Sequence, residues 1–215
     1  MSPNVFGDED DVASPIDLRT MTDAREWAAT AMKKCPSREE FFQCFVAQLQ
    51  GLRLAQPSIL ELGSGPGFLA QKIIESMPAV QYTMLDFSPA MHELARERLG
   101  SLPPTVRQVE VDFKRAGWTT GLGSFDAVIT MQAVHEVRHK KHVAGLHRAV
   151  RSLLKVNGRY FICDHYIGQD GMANEALHMT VEEQRNALQF AGFNTIKCLL
   201  RKGGLVLHSV SVEYV

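Results

Sequence analysis

The sequence predicts an α/β domain in which a mostly parallel sheet of seven strands lies between two layers of helices, preceded by a helical arm. Short apolar strands alternate with amphipathic helices from residue 58 onward, and short connections of this kind build parallel sheets. The last two strands, by contrast, are separated only by Gly203-Gly204. Because a parallel connection needs a crossover of about a dozen residues, this pair predicts an antiparallel terminal hairpin.

Residues 1–55 are predicted to form an N-terminal tail and helical lid. Residues 1–20 are acidic and interrupted by proline and glycine, which is typical of a mobile segment. Helix is favoured over residues 22–34, and a second helix is predicted to begin at Ser37, where Glu40 completes a capping-box pattern. This second helix carries apolar side chains at helical spacing, namely Phe41, Phe42, Phe45, Val46 and Leu49.

Residues 56–215 are predicted to form the sheet domain. The expected order is strand 58–62, a helix to about 77, strand 80–85, helix 89–99, strands 105–111 and 125–131, helix 139–154, strand 159–164, a helix to about 192, and strands 194–200 and 205–214. Ser88 with Pro89 marks one helix start, and Thr180 with Glu183 forms a capping box at another. Three histidines fall on helix faces that are expected to be solvated: His92, His142 and His147.

The composition argues against several classes of protein. The chain has 215 residues, of which 45% are hydrophobic and 22% charged, with a formal net charge of −1. This balance provides no broad cationic surface for nucleic acid, and no run of about 20 apolar residues is available to cross a membrane. The acidic N-terminus differs from a signal peptide, and the four cysteines form no C-x-x-C pair. We therefore expect a cytoplasmic protein with reduced cysteines and no nucleic-acid or membrane partner; the oligomeric state stays open.

A glycine-rich turn follows the first predicted strand and reads Leu62-Gly63-Ser64-Gly65-Pro66-Gly67. Glycine lets the backbone approach a ligand closely, and at the carboxyl end of a strand such a turn forms a floor for a cofactor. The alternative is a purely structural turn. The dinucleotide fingerprint needs glycine where Phe68 stands, and no Gly-Lys-Ser/Thr follows as a P-loop would require.

An acidic residue, Asp86, ends the second predicted strand, 19 residues after Gly67. A carboxylate in this place can accept hydrogen bonds from both ribose hydroxyls of a nucleoside cofactor. The alternative is a favourable charge near the N-terminus of the following helix. The turn and the acid together predict a nucleoside-type cofactor site.

Five segments then resemble, in order, the motifs of the class I S-adenosylmethionine-dependent methyltransferases. They are residues 61–67, 86–91, 111–113, 125–129 and 153–159, the last with Asn157 in place of the usual first glycine. The resemblance covers residues 56–215. It implies a Rossmann-like three-layer αβα sandwich and the cofactor S-adenosylmethionine, with S-adenosylhomocysteine (SAH) as product.

The resemblance also implies roles for single residues. Gly63, Gly65 and Gly67 would pass close to the amino-acid part of the cofactor, with Glu61 beneath them, and Asp86 would bind the ribose. The adenine would contact Phe87, Met91, Asp112 and Phe113, although core packing is the alternative for Phe87, Met91 and Phe113. Two further cofactor contacts are predicted at Ser64 and Met131.

The segment after the fourth strand faces the methyl group in this superfamily, and here it contains His135. An imidazole titrates near neutral pH, so His135 is the candidate general base or positioning group, with a structural role as the alternative. Weaker candidates for contact with the acceptor are Gln132, His165, Tyr166, His178 and Arg185. The charge balance favours a small-molecule acceptor, and neither the acceptor nor its attacking atom is predicted.

Three rival interpretations remain. Residues 135–139 read His-Glu-Val-Arg-His, the zinc motif of metalloproteases, which requires both histidines on one helix face. Because His135 follows a strand and helix is expected only from about His139, we predict no metal site. The other rivals are an NAD(P)-dependent reductase of related fold and a non-catalytic protein that binds S-adenosylmethionine to regulate a partner.

Overall fold

The computed structural model describes residues 10–100 and 102–212. Its helices are α1 (Met21–Lys34), α2 (Arg38–Gln50), α3 (Phe68–Ser76), α4 (Pro89–Leu99), α5 (Val143–Ser152) and α6 (Val181–Phe190). Its strands are β1 (Ser58–Leu62), β2 (Gln81–Asp86), β3 (Val106–Glu110), β4 (Phe125–Met131), β5 (Leu154–His165), β6 (Thr195–Lys202) and β7 (Leu205–Ser211). Two short 3-10 helices, Val134–Val137 and Lys140–His142, connect β4 to α5.

The seven strands form one sheet in the order β3-β2-β1-β4-β5-β7-β6. The five strands β3, β2, β1, β4 and β5 are parallel to one another, whereas β7 is antiparallel to both of its neighbours, β5 and β6. The predicted Rossmann-like architecture, with its terminal antiparallel hairpin, is confirmed. Because β1 and β4 lie side by side in the middle, their carboxyl ends open a crevice at the point where the strand order reverses, which is where such sheets bind ligands.

Helices bury apolar side chains on both faces of the sheet. On one face α2 and α3 pack on β1, β2 and β4, and Phe41 and Phe45 of α2 are fully buried there. On the other face α5 and α6 pack through residues such as Leu146 and Leu188. Helix α1 rests on α4 through a smaller cluster around Ala24 and Met91. The aromatic stripe of α2 is therefore part of the main core.

Two local predictions about the ends of elements are wrong. Ser37 precedes α2 in a helical conformation (φ −74°, ψ −6°), and among the described residues its side chain makes no capping hydrogen bond. Side-chain capping needs an extended backbone, and Glu40 instead pairs with Lys202 at 2.6 Å. Strand β5 begins at Leu154 instead of residue 159, because Leu154 already pairs with Phe125; the register with β4 is then interrupted around Asn157 (φ +63°) and resumes at Arg159. The capping box at Thr180 and Glu183 is confirmed.

Two of the histidines expected on solvated helix faces are buried. His147 is fully buried and His92 is 4% exposed, so the prediction is wrong for both. His147 lies four residues after Val143 and three before Val150, which places it on the face of α5 that packs against the sheet. His208 of β7 is also fully buried, and neither of its ring nitrogens has a hydrogen-bond partner within the described part of the chain.

These buried histidines predict that acid destabilises the fold. Burial lowers the pKa of His147 to about 3 and that of His208 to about 4. Below pH ~6.5 the unfolded chain therefore binds protons that the folded chain does not. The free energy of unfolding consequently decreases as the pH is lowered. In His208→Leu, urea denaturation should give a pH dependence that is smaller by at most about 1.4 kcal/mol per pH unit between pH ~6.5 and ~4.5.

The comparison is made against the wild type because other groups act in the opposite direction. Burial raises the pKa of Glu61 to about 8, so Glu61 adds stability as pH falls. His139→Leu serves as the control, since His139 is only partly buried and caps a short 3-10 helix. A pH dependence in His208→Leu equal to that of wild type would refute this account.

None of the helices in the described ranges is long and apolar enough to span a bilayer. All four cysteines carry free thiols; Cys35 and Cys163 are buried, and Cys198 is exposed.

Candidate active site

A cavity of about 310 Å³ opens at the carboxyl ends of the central strands. Its floor is the glycine turn after β1, and its sides come from the ends of β2, β4 and β5. The N-terminal arm closes it from above with residues of the segment before α1, of α1 itself and of α2, namely Leu18, Trp27, Ala31, Lys34, Arg38 and Phe42. A cavity of this size falls within the range of ligand pockets.

The glycine turn has the backbone form that only glycine adopts without strain. Gly63 has φ +66°, and a Cβ there would lie 2.3 Å from the Cβ of Ala133. Gly65 has φ +52°, and no atom of the described residues lies within 4 Å of its hypothetical Cβ, so this residue leaves open space beside the cavity. The buried hydroxyl of Ser64 between them has no hydrogen-bond partner in the described part of the chain. The turn therefore offers bare backbone and one unused hydroxyl to a ligand.

Asp86 lies next to this turn at the end of β2. Its carboxylate accepts hydrogen bonds from the amide of Gly65 (2.8 Å) and from the amide of Ser88 (3.0 Å). Burial raises the pKa of Asp86, although these hydrogen bonds oppose the shift. The side chain lines the cavity, and each carboxylate oxygen can accept further hydrogen bonds. Asp86 thus combines support of the turn with acceptor capacity toward the cavity.

Glu61 lies beneath the turn and is 3% exposed. The hydroxyl of Tyr82 donates a hydrogen bond to Glu61 Oε2 at 2.8 Å. Burial raises the pKa of Glu61 to about 8, the hydrogen bond from Tyr82 opposes the shift, and the nearby charge of Asp86 adds to it. A cationic group entering the cavity would favour the ionised form of Glu61.

His135 is held by a buried carboxylate that the sequence analysis did not select. Nδ1 of His135 lies 2.7 Å from Oδ1 of Asp164, and the backbone amide of His135 donates to Oδ2 at 3.0 Å. Burial alone would raise the pKa of Asp164, but the charge and hydrogen bonds of His135 and His165 outweigh it and lower this pKa to about 2. Burial opposes a charge on His135, and Asp164 nevertheless raises its pKa. The two groups form an oriented acid–imidazole pair.

Two more histidines surround this pair. The rings of His165 and His178 lie 5.6 and 5.3 Å from that of His135, centroid to centroid. Gln132, whose φ is +56°, places its amide between two groups: Nε2 lies 2.9 Å from His165 Nε2, and Oε1 accepts a hydrogen bond from Nη2 of Arg38. A left-handed glutamine costs energy that the surrounding structure must hold, and such strain is common at functional sites.

Most of the predicted site residues line this cavity. They are Glu61, Gly63, Ser64, Gly65, Asp86, Phe87, Met91, Phe113, Met131, Gln132, His135 and His165. Gly67 instead packs against Ala95, and Asp112 does not line the cavity; its Oδ2 is 3.6 Å from Nη2 of Arg19. His178 does not line the cavity; its ring lies 5.3 Å from that of His135 and 5.7 Å from that of His165, which do.

Two candidates for acceptor contact lie elsewhere. Arg185 is exposed on α6 and does not line the cavity, because the helix turns the neighbouring Gln184 inward, where it donates to the carbonyl of His165. Tyr166 is buried under Arg201. Conversely, the prediction missed Asp164, Arg38 and Trp27. A signal was available for Asp164, because it is an acidic residue at the carboxyl end of a core strand. The positions of Arg38 and Trp27 at the cavity depend on how helices α1 and α2 pack over the sheet, which the local sequence does not indicate.

The zinc-like motif lacks the geometry that it needs. His135 lies in the first 3-10 helix, Arg138 is left-handed (φ +68°), and His139 caps the second 3-10 helix. The α-helix begins only at Val143, later than predicted. The two histidines are thus not one α-helical turn apart, as the metalloprotease motif requires.

Comparison with known proteins agrees with this geometry. Residues 59–158 match the family model described as a methyltransferase domain. This match covers just under half of the chain, and the fold of the chain is that of solved S-adenosylmethionine-dependent methyltransferases. Among solved structures, the DhpI–SAH complex is 18% identical with a TM-score of 0.65, covering 89% of this chain and 94% of that one. Human N-acetylserotonin methyltransferase with bound SAM is 17% identical with a TM-score of 0.60, covering 96% of this chain and 64% of that one.

Curated proteins similar to this chain include two named malonyl-[acyl-carrier protein] O-methyltransferases. The one from Legionella pneumophila is 32% identical over 111 residues, which are 52% of this chain and 37% of the relative. The one from Paenibacillus sp. is 23% identical over 161 residues, covering 68% of this chain and 58% of the relative. The chain thus matches less than two thirds of the length of either relative.

The residues present fit the cofactor of the superfamily, S-adenosylmethionine. The unpartnered Ser64 hydroxyl and the open space at Gly65 lie beside the cavity, where a ligand with hydrogen-bonding groups would contact them. Asp86 offers acceptors for hydroxyls, and Glu61 offers a carboxyl that favours a cation. Phe87, Met91 and Phe113 give one end of the cavity an apolar wall of the kind that an aromatic base needs.

Proposed function

We propose that this chain is a methyltransferase that moves a methyl group from S-adenosylmethionine to a small-molecule acceptor, with His135 as general base. One observation carries the proposal. The glycine turn with Asp86, which suits an adenosyl cofactor, and His135, which Asp164 orients for proton transfer, both border one cavity of about 310 Å³. A pure binding protein would need the first group but has no use for the second.

S-Adenosylmethionine, when bound, supplies a methyl group that is already activated by the positive sulfur. The chain then has to bind the cofactor and the acceptor, orient them toward each other and exclude water. Gly63, Ser64 and Gly65 would hold the amino-acid end, Asp86 would accept hydrogen bonds from the ribose, and Glu61 would support the turn from below. The apolar end at Phe87 and Met91 would hold the adenine. Helices α1 and α2 cover the cavity and limit the entry of water.

His135 is placed to take a proton from an acceptor. Nδ1–H donates to Asp164, so the lone pair that can accept a proton is on Nε2. The buried carboxylate of Asp164 stays ionised, since its pKa is about 2, and it stabilises the imidazolium that forms. A base of this kind is useful when the attacking atom begins protonated, as in a hydroxyl group.

The names of the curated relatives point to a second candidate acceptor. Both are named as acting on malonyl groups of acyl-carrier protein. An acyl group attached to a carrier protein is therefore the alternative to a free small molecule. Malonyl-carrier protein and the small-molecule fraction of a cell extract can be offered separately, with radiolabelled S-adenosylmethionine, to distinguish the two.

Calorimetry with SAH and with NADH tests the proposal against a reductase. We expect SAH to bind and NADH to bind at least about tenfold more weakly, because Phe68 occupies the place of the third glycine that a dinucleotide needs. Transfer of radiolabel to any acceptor then separates an enzyme from a regulatory binding protein. Well-folded protein that binds neither compound would contradict the assignment.

Residues 10–20, here called the N-terminal strap, are proposed to act as a lid together with α1 and α2. Arg138 holds one end by donating from Nε to the carbonyl of Val12 and from Nη2 to that of Ala13, both at 2.8 Å. The other end is held where Ser88 Oγ donates to the carbonyl of Leu18, which lines the cavity. The strap therefore runs from the segment next to His135 to the segment next to Asp86.

Deleting residues 1–16 is expected to raise the KM for the acceptor by roughly tenfold, while SAH affinity changes by less than about threefold. Two charge-assisted hydrogen bonds of Arg138 are lost, and these lie on the side of His135; Leu18 stays in place. The substitution Asp10→Asn removes only the ion pair of Asp10 with Lys141 and should have little effect, because Asp10 is exposed and such surface pairs contribute little. Equal losses for acceptor and cofactor would argue against a lid.

A further inference from the structure

Arg38 is a buried cation in the wall of the cavity. It is the first residue of α2, is 6% exposed, and lines the cavity close to the end of β4. Nη2 donates to Gln132 Oε1, and the guanidinium carbon lies 5.5 Å from the centre of the Trp27 ring. Nε is buried and has no hydrogen-bond partner among residues 10–100 and 102–212.

The charge of Arg38 also lacks a counter-charge. No carboxylate of the described residues lies within 4 Å of its guanidinium nitrogens. The acidic groups that line the cavity have other partners: Glu136 pairs with Arg138, Asp86 accepts backbone amides, and Glu61 accepts from Tyr82. Burial lowers the pKa of Arg38, yet a guanidinium stays charged at neutral pH.

A structural role alone does not account for a charged group here. The hydrogen bond to Gln132 could be made by a neutral side chain, and the cation–π contact with Trp27 offsets only part of the free-energy cost of a buried charge. Lys34 and His165 line the same cavity, and neither supplies a negative charge that would offset the positive potential at Arg38. A guanidinium presents planar pairs of N–H donors that match the two oxygens of a carboxylate.

We propose that Arg38 is a receptor for the carboxylate of a ligand inside the cavity. The inference rests on the proposed function, which supplies two sources of that carboxylate. One is the methionyl end of the cofactor, and the other is an acidic group on the acceptor. Both use the same donors on Arg38, and they are distinguished by which ligand loses affinity when the guanidinium is removed.

The cofactor source is tested by calorimetry on the full chain with SAH and with methylthioadenosine, which lacks the amino-acid end. In Arg38→Gln we expect the Kd of SAH to rise roughly 10- to 100-fold, because a charge-assisted hydrogen-bond pair is lost. The Kd of methylthioadenosine should change less than about threefold, and Arg38→Lys should recover part of the loss. Arg185→Gln, an exposed arginine outside the cavity, is the matched control.

The acceptor source is tested by thermal shift with malonate and salicylate, each against its neutral amide. This arm applies if SAH binding is unchanged in Arg38→Gln. We then expect one of the acids to raise the melting temperature of wild type more than its amide does. The variant should lose this preference for the acid. This measurement works with and without SAH, so it decides the role of Arg38 even if the cofactor assignment fails.

Either pattern supports a carboxylate receptor. Unchanged SAH affinity together with an unchanged or absent preference for the acids overturns it. Should Arg38→Gln lose methylthioadenosine binding as well, the variant has lost its fold, and the same comparison is made with Arg38→Lys. Failure of wild type to bind SAH and methylthioadenosine would refute the proposed function instead. The thermal-shift comparison of acids with amides does not depend on that result and still tests Arg38.

Discussion

Replacing Asp164 with asparagine is expected to slow methyl transfer by roughly 100-fold or more, while the Kd of SAH changes by less than about threefold. The carboxylate holds Nδ1 of His135 at 2.7 Å and fixes the tautomer that leaves Nε2 free to accept a proton. An amide keeps the size of the side chain but removes the negative charge, and its NH₂ group favours the wrong tautomer. Asp164 does not line the cavity, so cofactor binding should be largely unaffected.

The same substitution should move the pH dependence of the reaction to lower pH. Asp164 raises the pKa of His135, against the effect of burial. Without that charge the pKa of His135 falls, and the neutral imidazole that acts as base is present at lower pH. The acid limb of kcat against pH shifts accordingly, and an NMR titration of the His135 ring shows the shift without any acceptor.

Asp170→Asn is the control for this experiment, because Asp170 is exposed and the substitution is chemically the same. We expect it to behave as wild type. A rate for Asp164→Asn within about twofold of wild type, with an unchanged titration of His135, would show that the pair is structural and that His135 is not the base.

Replacing Asp86 with alanine is expected to weaken SAH binding by roughly 100-fold or more, the second large effect. The carboxylate is proposed to bind ribose hydroxyls, and each charge-assisted hydrogen bond contributes about 1.5–3 kcal/mol. The substitution also removes the acceptor that holds the Gly65 amide at 2.8 Å, so the glycine turn loses its support. Calorimetry measures the affinity, and circular dichroism confirms that the variant is folded.

Asp112→Ala is the comparison for Asp86. Its carboxylate does not line the cavity and lies 3.6 Å from Arg19, so we expect a smaller loss of SAH affinity, below about tenfold. If the two variants lost affinity equally, the proposed division between a ribose-binding acid and a peripheral acid would be wrong. If folded Asp86→Ala bound SAH as wild type does, the proposed cofactor orientation would be refuted.

Local rules in the sequence were sufficient wherever the cause of a structure lies within a few residues. The turn from Gly63 to Gly67 requires left-handed backbone, so its glycines marked the site directly. The side chains of Thr180 and Glu183 each accept a hydrogen bond from the other residue's backbone amide, and they marked a helix start for the same reason. The Ser37–Glu40 pattern failed because the same residue types need an extended backbone that the preceding segment does not supply.

The sequence by itself determined the order of strands and helices, the cofactor turn and Asp86, because apolar periodicity and glycine are local signals. Only the tertiary structure decided that Asp164 reaches His135, that Arg38 is buried in the cavity wall beside Gln132, and that Arg185 points away. Arg38 and Gln132 are 94 positions apart, and Asp164 and His135 are 29 apart. Contacts over such distances follow from how the elements pack, which no short window of sequence records.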